Sequence, residues 1–143
     1  LYRIVTQDDA IGRWVYERTG DGDWISGATI GVSRDNSIVA GVTFTQWTGP
    51  NIFTAVAVED RRAISRKFLF LCFWYAFEQL QCRRITALVN EDNSASIRGL
   101  EHLGFTREAT LVDAAPKGDV IVYRLFREDC KWLLSLKRKA AWG

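Results

Sequence analysis

Ile52-Phe53-Thr54-Ala55-Val56-Ala57-Val58 is followed by a run without a breaker from Ala63 to Gln81 (AISRKFLFLCFWYAFEQLQ), and then by Arg84-Ile85-Thr86-Ala87-Leu88-Val89. The first and third segments are short, apolar and rich in β-branched residues, which reads as strand. The middle segment is dense in Phe and Leu and reads as a long, largely buried helix. A helical crossover between two strands of one sheet makes those strands parallel. The rest of the chain is arranged around this unit.

Upstream, Leu1 to Val5 reads as a strand, and Asp8-Asp9 opens a helix with carboxylates near its positive end. Ile11, Trp14 and Val15 form that helix's apolar stripe, and Gly20-Asp21-Gly22-Asp23 ends it. Ala28–Ser33, Ser37–Trp47 and Ile52–Val58 alternate with turn residues, as in an antiparallel meander. Downstream, Asn93 to Leu103 reads as a helix with Ile97, Leu100 and Leu103 on one face, capped by Gly104. Phe105–Asp113 and Val120–Phe126 read as a last strand pair, and Glu128–Leu136 as a last helix before a basic tail. The expected fold is therefore α/β (α+β). Its sheet is mixed and mostly antiparallel, with six to seven strands and a central parallel pair, flanked by helices. In such sheets ligands bind where the carboxyl ends of the parallel strands meet the switch in topology. That places a site around Val58 to Lys67 and Asn90 to Ser96.

Composition narrows the function. The 143 residues suit one domain, with residues 128–143 as its terminal helix and tail. A net charge of +2 does not make the whole molecule a nucleic-acid binder. The longest apolar run, Phe68 to Phe77, is too short to span a bilayer of about 30 Å at about 1.5 Å per residue. No signal peptide is visible at the start of the sequence as given, which has no methionine. Cys72, Cys82 and Cys130 are odd in number and lack CxxC spacing, so buried thiols in a reducing cytoplasm are expected rather than disulfides or a metal site. His102 lies away from the strand ends and is not expected to act.

Three segments carry a family resemblance: Arg84 through Ser96 (RITALVNEDNSAS), Leu103-Gly104-Phe105-Thr106-Arg107-Glu108, and Tyr75-Ala76-Phe77-Glu78-Gln79-Leu80. Together they resemble the GNAT superfamily of N-acetyltransferases. The N-x-x-S of Asn93 to Ser96 and the helix-ending Leu-Gly-Phe look most like its ribosomal-protein N-terminal acetyltransferase branch. Asp119 to Leu133 resembles small phage-encoded members. The resemblance covers most of the chain. It implies acetyl-CoA as cosubstrate and no metal. It also implies backbone groups of Val56, Ala57 and Val58 on the pantetheine arm, and the pyrophosphate on the loop Arg61, Arg62, Ala63, Ile64, Ser65, Arg66.

The chain departs from that pattern. The family's Gln or Arg, its first Gly, and its second Gly or Ala fall on Asp60, Ala63 and Ser65. Asp60 is expected to repel phosphate, and Ala63 lacks the glycine that admits the closest backbone approach. Arg61, Arg62, Arg66 and Lys67 put four cations within seven residues, so charge can replace geometry. The plainer reading is a solvated helix start. The tyrosine that many members place just before Leu-Gly-Phe is Leu100 here.

Acetyl transfer needs a neutral amine, a donor to the thioester oxygen and a stabilised leaving thiolate. Glu59 is the leading candidate base and Asp60 the second, against the plainer reading that both are exposed strand-end carboxylates. Ser96, with Asn93 beside the pantetheine arm, is the candidate acid carried by the resemblance, and Tyr123 is the alternative. Asn93 and Ser96 also fit helix capping. Tyr16, Trp24 and Trp47 are candidates for an acceptor cleft or for core. Lys131, Lys137, Arg138 and Lys139, around Trp132 and Trp142, offer a docking tail or a frayed end.

The expectation is a cytoplasmic N-acetyltransferase of a bacterial or phage-infected cell, acting on a protein or small-molecule amine, with a homodimer left open and no membrane or nucleic-acid partner. The alternative is a catalytically degenerate binding protein of the same fold, acting on a host or partner protein.

Overall fold

The computed structural model describes residues 1–133. Seven strands form one sheet in the order β1-β2-β3-β4-β5-β7-β6. They are β1 Tyr2–Thr6, β2 Ala28–Arg34, β3 Ser37–Thr45, β4 Asn51–Val58, β5 Arg84–Asn90, β6 Thr106–Ala115 and β7 Gly118–Phe126. Only β4 and β5 run parallel; every other neighbour is antiparallel. This is the mixed sheet expected from the crossover.

Helix α1, Asp9–Thr19, starts because the Asp8 carboxylate accepts the Ala10 N–H at 2.9 Å. It ends at Gly20, whose φ of 75° is the left-handed region that glycine adopts freely. Ile11 and Val15 from its stripe are fully buried on the β2–β3–β4 half of the sheet. Helices α2, Arg66–Trp74, and α3, Ser94–Leu103, lie on the opposite face. Strand alternation separates the two faces: Gly41 of β3 meets α1, while Phe44 of β3 packs on Tyr75 beyond α2. The main core is on the α2 side, where Phe68, Phe73, Phe77, Ile85, Leu100 and Leu125 cluster. Most of the aromatic excess is therefore packing.

The crossover differs from the uninterrupted helix expected over residues 63–81. Two side chains offer acceptors in succession. Asp60 caps a 3-10 turn at Arg61–Ala63, and Ser65 Oγ accepts the Phe68 N–H at 3.1 Å, so α2 begins at Arg66. Past Trp74 the backbone widens into a π turn, Tyr75–Gln79. The terminal helix expected at Glu128–Leu136 also breaks. A 3-10 turn covers Arg127–Asp129, Cys130 is extended and fully buried, and helix resumes over 131–133. Seating Cys130 in the core interrupts the helical run. Trp132 donates to the Leu103 carbonyl at 2.9 Å, and Leu133 is buried. Lys137, Arg138, Lys139 and Trp142 of the expected docking tail lie outside the described residues.

All three cysteines are buried and free. Burial pushes each thiol up. No helix among the described residues is long and apolar enough to cross a membrane.

Candidate active site

The β4–β5 ladder is short, running from Asn51↔Arg84 to Thr54↔Ala87. Beyond it β4 continues beside β3 as far as Val58↔Ala40, and β5 continues beside β7 as far as Asn90↔Val120. The facing edges Ala55–Val58 and Leu88–Asn90 therefore diverge, and neither serves as the other's ladder partner. The β3–β4 register is unbroken, so the wedge opens without a bulge on β4. Backbone N–H and C=O groups along its edges require partners from outside the sheet.

The wedge lies where the parallel strands end. Val58 is 42% and Leu88 43% exposed. At its apex the Thr54 side chain is buried, and its hydroxyl finds no partner among the described residues. The start of α2 follows the mouth of β4, and α3 follows that of β5. Both helices lie on one face of the sheet. On the other face α1 covers the β2–β3–β4 half and leaves Leu88 exposed.

The start of α2 suits an anion. A helix N-terminus carries free N–H groups and about half a positive charge. Its first turn has no acidic residue, and Arg66 and Lys67 stand in it, both exposed. Among the described residues Arg61, Arg66 and Lys67 have no carboxylate partner, whereas Arg62 lies 3.6 Å from Asp60. Ala63 is buried, so its methyl group fills core rather than the approach to the helix start.

The two acidic candidates separate. Glu59 stays at the wedge mouth, half-exposed, and accepts from Arg18 Nε of α1 at 2.8 Å. Arg18 lies 3.9 Å over the Trp14 ring. Asp60 is committed elsewhere, and only 14% of its side chain is exposed. It accepts from the Tyr2 hydroxyl at 2.6 Å, from Arg34 Nη1 at 2.8 Å and from the Arg62 N–H at 3.0 Å. Against the opposing pull of burial, the Tyr2 hydrogen bond, the Arg62 N–H and the Arg62 and Arg34 cations hold its carboxyl below the ordinary carboxylate range. A carboxylate bound this way is a poor base.

The acid candidates separate too. Asn93 caps α3, its Oδ1 accepting the Ser96 N–H at 3.2 Å. Ser96 is half-buried in the first turn, and among the described residues its hydroxyl makes no hydrogen bond. Tyr123 is buried on the core face, paired across the ladder with Ala87. Burial raises its hydroxyl, Glu101 adds to that and Arg107 opposes it. Leu100 is buried, so an aliphatic side chain occupies the position of the family tyrosine.

The cleft aromatics do not gather at the wedge. Trp24 packs on Gly12, edge-on to Tyr16, and donates to Asp9 Oδ1 at 2.9 Å. Trp47 lines a shallow 260 Å³ depression with Phe44, Ile52 and Tyr75 at the opposite end of the sheet. His102 lies against Trp132, with ring centroids 6.0 Å apart. No group of residues suited to a metal ion occurs among the described residues. Tyr2, Arg18, Arg34 and Leu88 escaped the sequence reading, because each acquires its place through a partner or strand edge distant in the chain.

No family model and no curated protein matches the sequence. Solved structures match the fold. One is yncA of Salmonella typhimurium, solved with its cofactor acetyl-CoA: 16% identity, TM-score 0.67, covering 87% of this chain and 93% of that one. Mutant forms of the spermidine/spermine N-acetyltransferase SpeG of Vibrio cholerae match at 13% identity and TM-score 0.69, covering 94% of this chain and 99% of theirs. The ribosomal-protein-S5-alanine acetyltransferase of Vibrio fischeri matches at 16% identity and TM-score 0.65, covering 91% of this chain and 95% of that one. The sheet, its parallel pair and its helices have the GNAT fold.

Proposed function

We propose that the chain is an acetyl-CoA-dependent N-acetyltransferase that moves the acetyl group directly to a primary amine of a protein or small molecule. The observation that carries this reading is the β4–β5 wedge, with a basic helix start at its mouth, in a fold shared with acetyltransferases. The residues present fit coenzyme A. The unpaired edges suit the amides of the pantetheine arm, the Thr54 hydroxyl offers a buried polar contact at the apex, and the start of α2 suits the pyrophosphate. The phosphates belong on the α2–α3 face, and the amine reaches the wedge from the face that α1 leaves open.

In this reading a backbone N–H of Val56–Val58 donates to the thioester oxygen as charge builds there. Glu59 accepts the amine's proton, directly or through water, and Arg18 orients it. At pH 7 deprotonating a lysine-like amine costs about 4–5 kcal/mol, and an α-amine about 1–1.5 kcal/mol. The smaller cost makes an α-amine the easier acceptor. Ser96 donates to the departing thiolate, and Asn93 fixes the turn that presents it. Attack on the thioester carbonyl breaks the C–S bond and forms the amide, with no covalent enzyme intermediate. The three buried thiols agree with a reducing, cytosolic setting.

The test is thermal stabilisation by acetyl-CoA and by CoA. Either ligand at 100 times its Kd adds about 2.7 kcal/mol, a rise of roughly 5–10 °C at this size. No shift with either sinks the reading. Acetyl transfer is then assayed by thiol release with spermidine and with a peptide bearing an N-terminal alanine. Ser96→Ala and Glu59→Gln should each lower turnover by about 10²-fold or more while CoA binding persists. Unchanged turnover removes the role assigned to that residue.

A further inference from the structure

Asp60 stands where an anion is least expected, at the mouth of a site read as binding phosphate. Its surroundings show what the carboxylate does. Tyr2 is on β1 and Arg34 ends β2, and the two meet in the ladder pair Tyr2↔Arg34. Both converge on one carboxylate oxygen, at 2.6 and 2.8 Å, and the other oxygen accepts the Arg62 N–H at 3.0 Å. The Asp60 N–H donates to the Val39 carbonyl at 3.2 Å, which ties the same residue to β3. One side chain thus joins the edge of the sheet to the 3-10 turn Arg61–Ala63, which leads through Ser65 into α2.

We propose that Tyr2, Arg34 and Asp60 form a latch that positions the pyrophosphate-binding turn and the start of α2, so that Asp60 promotes cofactor binding. The inference rests on the reading of the wedge as a coenzyme A site. Asp60 carries one negative charge, and Arg34 and Arg62 lie against it, so the latch presents no uncompensated anion to a phosphate. It fixes the backbone between the latched residue and the Ser65 cap, a stretch of four residues. Arg61, Arg66 and Lys67 remain available for phosphate oxygens. Preorganising this segment lowers the ordering cost of binding, which is how residues that never touch a ligand raise affinity. Tyr2, Arg34 and Asp60 are positioning residues in this sense.

Tyr2→Phe is the decisive variant, since it removes one hydrogen bond without changing charge. Arg34→Gln is the second, because Arg34 is partly exposed and its loss leaves the core intact. Arg84→Gln, which breaks the remote Arg84–Glu108 pair, is the control for destabilisation alone. Titration calorimetry with CoA, and melting of the free protein, are measured for all four proteins. The latch predicts a three- to tenfold rise in the Kd for CoA in Tyr2→Phe and Arg34→Gln. Their melting temperatures should fall no further than that of Arg84→Gln, whose Kd stays within twofold of wild type. Unchanged Kd in both latch variants overturns the proposal, as does an equal loss of affinity in the control. Wild-type protein that binds no CoA overturns the wedge reading itself, and the wild-type titration alone reveals that case.

Discussion

Two glycine-to-alanine substitutions should move stability in opposite directions. Gly31 and Gly41 are partners across the β2–β3 ladder, and α1 lies on them. A Cβ at position 41 would stand 2.7 Å from Val15 Cγ2 and 3.0 Å from Ile11 Cγ2. Favourable contacts between carbons begin near 3.5 Å. Val15 and Ile11 are 0% and 1% exposed, so neither can swing into solvent. Either α1 retreats or both side chains leave their rotamers, at a cost of about 1–3 kcal/mol. Alanine restricts the unfolded chain, which returns about 0.4–1 kcal/mol. The net loss for Gly41→Ala is about 1–2 kcal/mol, or roughly 3–6 °C in Tm at this size.

Gly99 is the counterpart. It lies in the interior of α3, is exposed, has no neighbour within 4 Å of an added Cβ, and does not have a positive φ. There alanine is the better helix former, so Gly99→Ala should gain about 0.5–1 kcal/mol and raise Tm by roughly 2–3 °C. Scanning calorimetry on both single variants and the double variant checks the reasoning. The double variant should show the sum, since the sites share no contacts. A Gly41→Ala protein melting at or above wild type, or a Gly99→Ala protein melting below it, refutes the packing argument.

Two further outcomes follow from charge. Arg84 donates to both oxygens of Glu108, with Arg124 3.6 Å away, and these interactions hold the Glu108 carboxyl below its ordinary range. A lowered folded value stabilises above the unfolded Glu value of about 4.3 and ceases to do so as pH falls through the folded value. Glu108→Gln should therefore cost about 0.5–1 kcal/mol at pH 7 and nearly nothing at pH 3 in urea melts; a pH-independent gap would assign the loss to packing. The second concerns the cofactor. Because Arg61, Arg66 and Lys67 are exposed, raising ionic strength from about 0.05 to about 0.5 M should weaken CoA binding by roughly three- to tenfold. A flat salt profile would remove those cations from the site.

The fold was legible because its signals are local and repeated. Apolar runs of strand length, the crossover between Val58 and Arg84, and the Gly20 and Gly104 stops each follow from neighbours in the chain. The caps at Asp8 and Asn93 were legible for the same reason. Misread boundaries arose where a side chain competed with the helix for the backbone, as Asp60 and Ser65 do before α2, or where one residue was drawn into the core, as at Cys130. The candidate site was read from topology, as the place where the parallel strands end. Its composition could not be read in that way. Leu88 reads as an ordinary strand residue, and only the divergence of β4 from β5 makes it an exposed edge. Tyr2 and Asp60 are 58 residues apart, and nothing in the spacing of either foretells their hydrogen bond.

This difference changes the meaning of the departures from the family pattern. A missing glycine matters where the backbone must touch a phosphate; here the Ala63 methyl group is buried, and α2 starts later, beyond the Ser65 cap. An acid beside a phosphate site matters where its charge is free, and that of Asp60 is bound by a hydroxyl, two guanidinium groups and an N–H. Asp60 ties the loop to the sheet edge, and Ala63 packs in the core. The free N–H groups then belong to a helix start carrying Arg66 and Lys67. The departure left without a substitute in the fold is Leu100, because an aliphatic side chain has no proton to give. In the proposed reading the hydroxyl of Ser96, half-buried and without a hydrogen-bond partner among the described residues, takes the role of stabilising the leaving thiolate.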